Sequence, residues 1–546
     1  MLPFSRTFSK PRRNQPVAHM SIMCRGKPIS REGLFKYTSG RFLVNEDDQF
    51  ARRYRPFNLD ALCDVAATAG GNTSRIAAIE KFEGGFSKAL LMTKEDGSEL
   101  IAKIPFGIAG PACLTTASEV GTLEYIRRYT SVPVPRVFSW STDESNPVGA
   151  EYIIMEKAPG EQLFERWDEQ KSKKLELIVH LTQLEAQLSA IPFPAYGGLY
   201  LRANAHRLRH HDLDGSLDEQ QSFCIGPSPD RFFGVGAVAG ISSKGDSRDN
   251  GPWNSLSAYG VAIAKRELSK ISRRSLDNQP TAHQETPEEQ ARLLEITTTV
   301  MKMLDSHPVS QFSQPTLWHT DLQMGNIFVA PDNSTKITSL IDIQSLSVLP
   351  LFLQARWPRF LDPPRDYTRG PIPPKLPDDF DSLDEDDKAL ARLKYEQTLL
   401  AKAYEIRTAL DNKPAHGAMA AEPRVFRDLF TRAGEASTTG TTPLRESLLE
   451  ISRHWSDLGF SGDCPYSFSA EEVAAHERDF AAYEERRDLR RFAMEALSTD
   501  EDGWIAPQVD FERVRALNKE LLETCIARWE GVSEEEVRRM WPFPAE

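Results

Sequence analysis

The stretch "LWHTDLQMGNIFV", residues 317–329, places a short polar segment between two apolar runs. Such a pattern predicts a strand, a tight loop and a second strand. His319, Asp321 and Asn326 all fall within the predicted loop. Loops on a rigid scaffold commonly carry binding and catalytic side chains, so these three residues are candidates for a functional site.

A second apolar segment, "ITSLIDIQSLSVL" at residues 337–349, contains one acid, Asp342. We predict a strand here with Asp342 inside it. A carboxylate among apolar residues is costly to bury unless a partner compensates its charge. Asn326 and Asp342 both offer oxygen ligands, which suits Mg²⁺ carrying phosphate oxygens. Asp321 would then accept a hydrogen bond from an attacking hydroxyl.

Two upstream segments supply further parts of a phosphate site. "FEGGFSKALLM" places Gly84 and Gly85 between two predicted strands, where glycine lets the backbone turn tightly and approach phosphates. Lys103 lies in the predicted strand "ELIAKIPF", and Glu119 or Glu124 on the next helix could pair with it. A glycine loop, a strand lysine, a helix acid, HxDxxxxN and a final Asp occur in this order in kinase-type phosphoryl transferases.

Two of these stretches resemble a known superfamily. "HTDLQMGN" is similar to the catalytic loop of aminoglycoside phosphotransferases and choline kinases, the small-molecule branch of the protein-kinase-like fold. "LIDIQ" is similar to their metal-binding strand. Ile343 departs from the pattern, because an aromatic residue commonly follows the Asp, and no DFG glycine is present.

A wider set of stretches resembles the fungal altered-inheritance-of-mitochondria protein 9 group. The similarity covers most of residues 35–360, at "FKYTSGRFL", "RYRPFN", "EGGFSK", "IAKIP", "TSVPVPRV", "NPVGAEYIIME", "CIGPSPDRFF" and "NGPW". This resemblance implies a kinase-like fold, a mitochondrial address and a phosphotransferase activity whose substrate is not settled.

The resemblance also implies roles for individual residues. Asp321 would be the catalytic base, and Asn326 and Asp342 would hold Mg²⁺. Lys103 would contact the α- and β-phosphates of ATP, with Glu119 orienting it. The remaining implied nucleotide contacts are a loop over the phosphates and a backbone segment beside adenine: Gly84, Gly85, Phe86, Ser87, Met155, Glu156 and Lys157.

We therefore predict a two-lobed α+β protein with a protein-kinase-like fold and ATP·Mg²⁺ between the lobes. The smaller lobe is a mostly antiparallel sheet, and the larger lobe is helical, with an insertion and a C-terminal helical extension. The predicted regions are a transit peptide or tail (1–34), an N-terminal extension (35–74), an N-lobe (75–157), a C-lobe (158–360) with an insertion at about 191–285, a Pro-rich and acidic linker (361–383) and a helical region (384–546).

Local patterns predict the individual elements. The insertion is rich in Gly, Pro and Ser and is expected to be irregular, and Asn45 followed by three acids indicates a helix start. Strands are predicted in 75–106 and at 151–156. Helices are predicted at 115–129, 171–190, from Thr286, and at 384–410, 422–434, 442–454, 469–497 and 509–540.

Composition limits the function classes. The chain has 546 residues and a formal net charge of −13, so no overall positive field attracts nucleic acid. Its six cysteines are scattered without a CxxC pair, which argues against a disulfide framework or a zinc site. No run of 18 or more apolar residues occurs, so we predict no transmembrane segment.

The first 31 residues contain seven Lys and Arg and no acid. An Arg-rich, acid-free N-terminus resembles a mitochondrial transit peptide, so mitochondria are the expected location. The alternative is a disordered basic tail on a cytoplasmic protein, because Pro3, Pro11 and Pro16 weaken a helical presequence.

Each motif also has a simpler explanation. Gly84 and Gly85 could form an ordinary hairpin turn, Lys103 could lie on the surface, and Asp342 could end a strand. His319 is more readily explained as a structural residue than as a catalyst. For the whole chain, the alternatives are a pseudokinase or scaffold that binds nucleotide without transfer, and a nucleotidyl transferase on the same fold. The sequence does not name the acceptor, which we expect to be a small molecule.

Overall fold

The computed structural model describes residues 20–168, 171–234, 249–277, 286–344, 346–420, 424–529 and 532–544. The predicted transit peptide lies outside the described residues as far as residue 19. Parts of the predicted insertion, 235–248 and 278–285, also lie outside them. All six cysteines are described and are free thiols, as predicted.

Most strands of the N-lobe belong to one sheet. The strands of the N-lobe are β1 (Ser21–Cys24), β2 (Lys27–Pro28), β3 (Arg41–Phe42), β4 (Ile76–Glu83), β5 (Ser87–Lys94), β6 (Glu99–Pro105), β7 (Val137–Ser141) and β8 (Tyr152–Glu156). Seven of them form a sheet in the order β2-β1-β4-β5-β6-β8-β7. Only the β1–β4 pair is parallel in this described sheet, so the prediction of a mostly antiparallel N-lobe sheet is confirmed.

Strand β1 corrects one predicted boundary. Ser21 pairs with Ala78 of β4, and Cys24 pairs with Lys81. The segment from residue 21 onward is therefore part of the folded lobe, and the prediction that a tail extends to residue 34 is wrong there. The sequence signal was compositional and could not show that four of these residues would add a strand to the sheet edge.

Strand β5 joins the N-terminal extension to the sheet through two buried lysines. Alternate residues of β5 face the core, and Lys88 and Lys94 occupy two of these buried positions. The Lys88 ammonium donates to the carbonyls of Leu34 and Phe35 at 2.6 and 2.8 Å. Burial lowers the pKa of Lys88 to about 8. These bonds supply the partners that a buried ammonium requires, and they fix the extension against the sheet.

Three helices accompany this sheet: α1 (Glu46–Arg53), α2 (Leu59–Thr68) and α3 (Leu114–Tyr129). The helix start predicted at Asn45 is confirmed, with three acids in the first turn of α1. Helix α3 confirms the prediction for 115–129. It is buried along most of its length, including Glu119, and therefore lies between the sheet and the second lobe.

The C-lobe combines helices with short sheets. Its strands are β9 (Glu161–Gln162), β10 (Gly198–Leu201), β11 (His211–Asp212), β12 (Phe223–Gly226), β13 (Pro315–Leu317), β14 (Ile327–Ala330), β15 (Asn333–Leu340) and β16 (Val348–Pro350). Its helices are α4 (Leu163–Arg166), α5 (Lys171–Ser189), α6 (Arg231–Gly234), α7 (Leu256–Asp277), α8 (Pro287–Met303) and α9 (Leu351–Gln354). Strands β13 and β14 flank the loop that follows Leu317, as the sequence predicted.

Helix α7 corrects the prediction of an irregular insertion. Its Leu256, Tyr259 and Ile263 recur at helical spacing and are buried in the largest core. The next position on that face is Glu267, which is fully buried and bridged by Arg266 and Lys270 at 2.9 and 2.8 Å. Glu267, a charged residue on the core-facing side, interrupts the helical spacing of the apolar residues, which explains why the sequence did not predict α7.

The C-terminal region is helical, as predicted. Its elements are α10 (Glu385–Asp411), α11 (Lys413–Ala418), α12 (Arg424–Thr439), α13 (Thr442–Arg453), α14 (Ala470–Leu497), β17 (Trp504–Ile505), α15 (Phe511–Arg528) and α16 (Glu534–Met540). The single helix predicted at 509–540 is wrong, because α15 ends at Arg528 and α16 begins at Glu534. Helices α10 to α13 share the C-lobe core, whereas the end of α14, β17, α15 and α16 pack beside the N-terminal extension.

Candidate active site

His319 links the loop between β13 and β14 to the segment that carries Asp342. Its Nε2–H donates to the Ile341 carbonyl at 2.9 Å, and its Nδ1 accepts the backbone N–H of Asp321 at 3.3 Å. Burial lowers the pKa of His319, so the imidazole is neutral at pH 7. Both ring nitrogens are used within the protein, which supports the structural interpretation of His319.

Asp321 is held by the Asn326 side chain. The Asn326 amide nitrogen donates to the backbone carbonyl of Asp321 at 2.9 Å and to its carboxylate at 3.3 Å. Partial burial and the nearby Asp342 carboxylate raise the pKa of Asp321. A carboxylate with a raised pKa is a stronger base, so this environment suits Asp321 to accept a proton from a hydroxyl.

Asp342 follows its strand and does not lie inside it, which corrects the sequence prediction. Strand β15 ends at Leu340, and Asp342 has a φ of +61°, in the left-handed region. This conformation is uncommon outside glycine but is tolerated best by Asn and Asp. Hydrogen bonding of the Ile341 N–H to the Asn326 carbonyl at 3.0 Å and burial of Ile343 hold the turn. The Asp342 side chain therefore lines a cleft and is 45% exposed.

Lys103 contacts two carboxylates. Its Nζ lies 2.6 Å from Glu119 Oε1 and 3.3 Å from Asp342 Oδ1. Burial alone would lower the pKa of Lys103, but the Glu119 and Asp342 carboxylates outweigh burial and the pKa is raised. Lys103 is therefore a charged ammonium inside the protein. Glu124, the alternative partner, instead lines a separate surface cavity with Arg128.

A cleft of about 430 Å³ lies between the two lobes, within the size range of small-molecule sites. Eight of the predicted site residues line it: Ser87, Lys103, Glu119, Met155, Glu156, Lys157, Asn326 and Asp342. Gly84, Gly85, Phe86 and Asp321 are not among the lining residues. Much of the wall is apolar and suits a flat ring, with Leu91, Ile101, Leu123, Pro135, Phe328, Ile341 and Ile343.

The glycine loop connects β4 to β5. The Gly84 N–H donates to the Ser87 carbonyl at 2.9 Å, which closes the hairpin. Neither Gly84 nor Gly85 has a positive φ. A Cβ placed on Gly85 would meet nothing within 4 Å. Because neither strain nor packing requires glycine at these positions, their small size is consistent with close approach of a ligand.

The predicted adenine segment follows the edge of the cleft. The Glu156 N–H donates to the Arg136 carbonyl at 2.8 Å, so this donor is already used. The Lys157 ammonium pairs with Glu99 at 2.6 Å. Met155 pairs with Ile101 in the β6–β8 ladder and is buried.

Three residues near the site had no recognisable sequence signal. Gln162 lines the cleft and donates to the Gly325 carbonyl at 2.8 Å, which holds the loop between β13 and β14. The Arg359 N–H donates to the Leu322 carbonyl at 3.3 Å, one residue after Asp321. Arg53 donates to the Gly85 carbonyl at 3.3 Å. All three act across long sequence distances, which a local motif cannot reveal.

The donor set of the cleft fits Mg²⁺. Because its amide nitrogen bonds Asp321, Asn326 can offer its side-chain oxygen to a cation, and Asp342 can offer a carboxylate oxygen. No group of three or more His, Cys, Asp or Glu side chains within the described part of the chain could hold a metal ion. Two protein ligands are sufficient for Mg²⁺ when phosphate oxygens and water supply the others.

Comparison with known proteins identifies the family of this chain. The model of the APH phosphotransferase enzyme family matches residues 78–352. A subtelomeric hrmA-associated cluster protein of Aspergillus fumigatus is 32% identical over 84% of this chain and 95% of its own length. The chain therefore belongs to the phosphotransferase enzyme family.

More distant relatives and solved structures complete the comparison. Altered inheritance of mitochondria protein 9 of Candida tropicalis is 24% identical over 84% of this chain and 83% of its own length, which confirms the resemblance seen in the sequence motifs. The streptomycin–ATP–APH(2")-IIa complex is 14% identical, with a TM-score of 0.35, over 71% of this chain and 94% of that chain. In the described helices of this chain, none is both long and apolar enough to span a membrane.

Proposed function

We propose that this protein is an ATP- and Mg²⁺-dependent phosphotransferase that acts on a hydroxyl of a small molecule. The observation that carries the proposal is the double contact of Lys103, at 2.6 Å to Glu119 and 3.3 Å to Asp342. These residues lie far apart in the sequence and meet in a cleft with an apolar wall. In kinase-type enzymes, this arrangement fixes the lysine that contacts phosphates beside the acid that binds the metal.

In the proposed reaction, the acceptor oxygen forms a bond to the γ-phosphorus as the bond to the β–γ bridging oxygen breaks. The acceptor proton passes to Asp321, and ADP leaves. Asn326 and Asp342 would hold Mg²⁺, which supplies positive charge to the phosphate oxygens. Lys103 would contact the α- and β-phosphates, and the Gly84–Ser87 loop would cover them. Met155 to Lys157 would lie beside adenine.

Labelled ATP separates this function from its two alternatives. We expect label from γ-labelled ATP, and none from α-labelled ATP, to appear in an acceptor from a metabolite mixture. Transfer of the α-label would instead establish a nucleotidyl transferase. Nucleotide binding without transfer of either label, across acceptors of varied charge, would favour a pseudokinase.

Nucleotide binding provides a simpler first test. Because a ligand that binds only the native state stabilises it, MgATP at about 100 times its Kd should add about 2.7 kcal/mol to the free energy of unfolding. ATP with EDTA is the matched control and should give a much smaller rise in melting temperature. A protein that shows no shift with millimolar MgATP would lack the proposed nucleotide site.

We also propose a mitochondrial location. Residues 1–19 contain Arg6, Lys10, Arg12 and Arg13 and no acid, and relatives carry the name altered inheritance of mitochondria protein 9, mitochondrial. Residues 1–19 fused to a fluorescent reporter should direct it to mitochondria. Replacing the four basic residues with glutamate should leave the reporter in the cytosol. A cytosolic distribution of the unaltered fusion would exclude a targeting signal confined to these residues.

A further inference from the structure

Arg53, the last residue of α1, is a buried cation that contacts the glycine loop. Its side chain is 5% exposed, and its Nε donates to the Gly85 carbonyl at 3.3 Å. The guanidinium lies over the rings of Phe42 and Tyr37, 4.8 and 5.4 Å from their centroids. A second bond runs from Nη1 to the Gln49 carbonyl at 3.2 Å. The Arg53 guanidinium therefore packs against two aromatic rings, and its Nε–H is directed at the loop.

The charge partner of Arg53 comes from the opposite end of the chain. Its Nη2 lies 3.6 Å from the Asp502 carboxylate, which is in the turn between α14 and β17. This turn is rigid, because Asp500 accepts the backbone N–H groups of Asp502 and Trp504 at 3.0 and 2.9 Å. Trp504 in turn donates its indole N–H to the Ser39 carbonyl at 3.0 Å.

The cost of burying this cation indicates a specific role. Burial lowers the pKa of Arg53, and the Asp502 carboxylate only partly opposes the shift. A buried guanidinium requires acceptors for its donors, and those of Arg53 are the Gly85 carbonyl, the backbone and side-chain oxygens of Gln49, and the Asp502 carboxylate. Other contacts of the loop are the Gly84–Ser87 bond, the Phe106 N–H at 2.8 Å from the Phe86 carbonyl, and the Arg231 guanidinium over the Phe86 ring.

We infer that Arg53 and Asp502 are positioning residues for the nucleotide phosphates. Arg53 fixes the carbonyl of Gly85, which sets the height of the Gly84–Ser87 backbone above the cleft. Asp502 fixes Arg53, so the C-terminal segment takes part in nucleotide binding without touching the nucleotide. This inference rests on the proposed function, because it assumes that the loop covers the phosphates of ATP.

Calorimetry with two probes, MgATP and adenosine, tests the inference on the full chain. Replacing Arg53 with methionine keeps an apolar stem against Phe42 and Tyr37 but removes the bond to Gly85. Because the loop loses the bond that fixes its Gly85 carbonyl, we expect the Kd of MgATP to rise about tenfold, which corresponds to about 1.4 kcal/mol. The Kd of adenosine should not change, because adenosine has no phosphates for the loop to contact.

Two further variants complete the design. Asp502→Asn should also raise the Kd of MgATP, by a smaller factor. The Asp502 side chain is 54% exposed, so this substitution should not prevent folding. Arg31→Met is the matched control, because Arg31 pairs with Asp60 at 2.9 Å in the same lobe but is 58% exposed. It should leave both dissociation constants unchanged.

The outcomes are distinguishable. An equal loss of adenosine and MgATP affinity in both the Arg53→Met and Asp502→Asn variants would show a structural role only and would overturn the inference. Unchanged MgATP affinity in both variants would also overturn it. If the unaltered protein itself does not bind MgATP, the proposed function fails, and that result is visible before any variant is made.

Discussion

At the scale of single residues, the two acids of the site differ in their partners. Asp321 receives a hydrogen bond from the Asn326 amide, whereas Asp342 lies 3.3 Å from the Lys103 ammonium. The raised pKa of Asp321 suits proton transfer. The left-handed backbone of Asp342 directs its carboxylate into the cleft, where a metal and phosphates would lie.

This difference predicts that substitutions of the two acids have different effects on MgATP affinity and turnover. Asp342→Asn removes a charge from the proposed metal site, so the MgATP affinity should fall together with turnover. Asp321→Asn leaves that charge in place and removes the base, a contribution of about 10²–10⁴-fold in rate. Its MgATP affinity should stay nearly unchanged. Calorimetry and γ-phosphate transfer measure the two effects, and similar loss of affinity in both variants would contradict the assigned roles.

The buried ion pair between Lys103 and Glu119 predicts an effect on the free energy of unfolding that can be measured apart from nucleotide binding. Lys103→Met leaves the Glu119 carboxylate, 5% exposed, without its cation. Breaking such a pair costs about 3–5 kcal/mol, and protonation of Glu119 would offset part of this. Adding Glu119→Gln removes the uncompensated charge, so the double variant should recover much of the stability. Denaturant unfolding tests this recovery, and neither variant should bind MgATP normally. A double variant no more stable than Lys103→Met would contradict the explanation.

Short motifs were sufficient to select most of the candidate residues at this scale. Lys103, Asp321, Asn326 and Asp342 were identified because each lies in a recognisable local pattern. The bond between Arg53 and Gly85 could not be predicted, because Arg53 looks like one of several surface arginines in "ARRYR". The positive φ of Asp342 was also missed, since apolar residues on both sides of it favour a continuous strand.

At the scale of elements, helices α5 and α10 meet at a buried carboxyl. Tyr404 of α10 donates its hydroxyl to Glu185 of α5 at 2.8 Å, and both side chains are buried. Burial raises the pKa of Glu185 to about 8. In the native protein the Glu185 carboxyl therefore stays protonated up to about pH 8, whereas in the unfolded chain it loses its proton above the ordinary pKa of 4.5.

This carboxyl predicts a pH dependence of stability. Between pH 4.5 and about 8 the folded state binds more protons than the unfolded state, so stability falls as pH rises and levels off above about 8. From pH 5.5 to 8, Glu185 should contribute a loss of about 3 kcal/mol. Glu185→Gln should remove this contribution, as measured by unfolding at several pH values. Glu176→Gln, at an exposed site on α5, is the control, and equal slopes in all three proteins would contradict the prediction.

Most helices and N-lobe strands could be predicted from apolar periodicity and end signals. Thr286, for example, accepts the backbone N–H of Glu289, as the capping pattern indicated. Helix α7 could not be recognised, because buried Glu267 interrupts its apolar face and its charge partners are only visible in three dimensions. Strand β1 was missed for a related reason, since its pairing with β4 depends on residues about 57 positions away.

At the scale of the whole molecule, helix α14 connects regions that belong to different lobes. Its 28 residues span about 42 Å. Near its start, Glu472 pairs with Arg292 at 2.7 Å and His476 pairs with Glu446 at 2.8 Å. Near its end, Leu489, Ala493 and Leu497 join a separate cluster that includes Ile505, Val514, Leu522, Val537, Trp541 and Phe543.

Removal of residues 470–546 should therefore loosen a specific part of the N-lobe. Strand β3 would lose its β17 partner, and Arg53 would lose Asp502. Hydrogen exchange should become faster at residues 35–55, because their protecting contacts are removed. The amides of β5 and β6 should keep their protection, since that sheet core does not use the C-terminal segment. Unchanged exchange at residues 35–55 would show that β3 does not depend on β17.

The pairing of β3 with β17 has a consequence for the order of biosynthesis. The partners of residues 41–42 lie at 504–505, so they are synthesised long after residues 41–42 leave the ribosome. At 5–20 residues per second, the delay is roughly half a minute or longer. During that time the nascent chain cannot complete the segment that fixes Arg53. The contact between Asp502 and Arg53 therefore forms long after the Gly84–Ser87 loop has been synthesised.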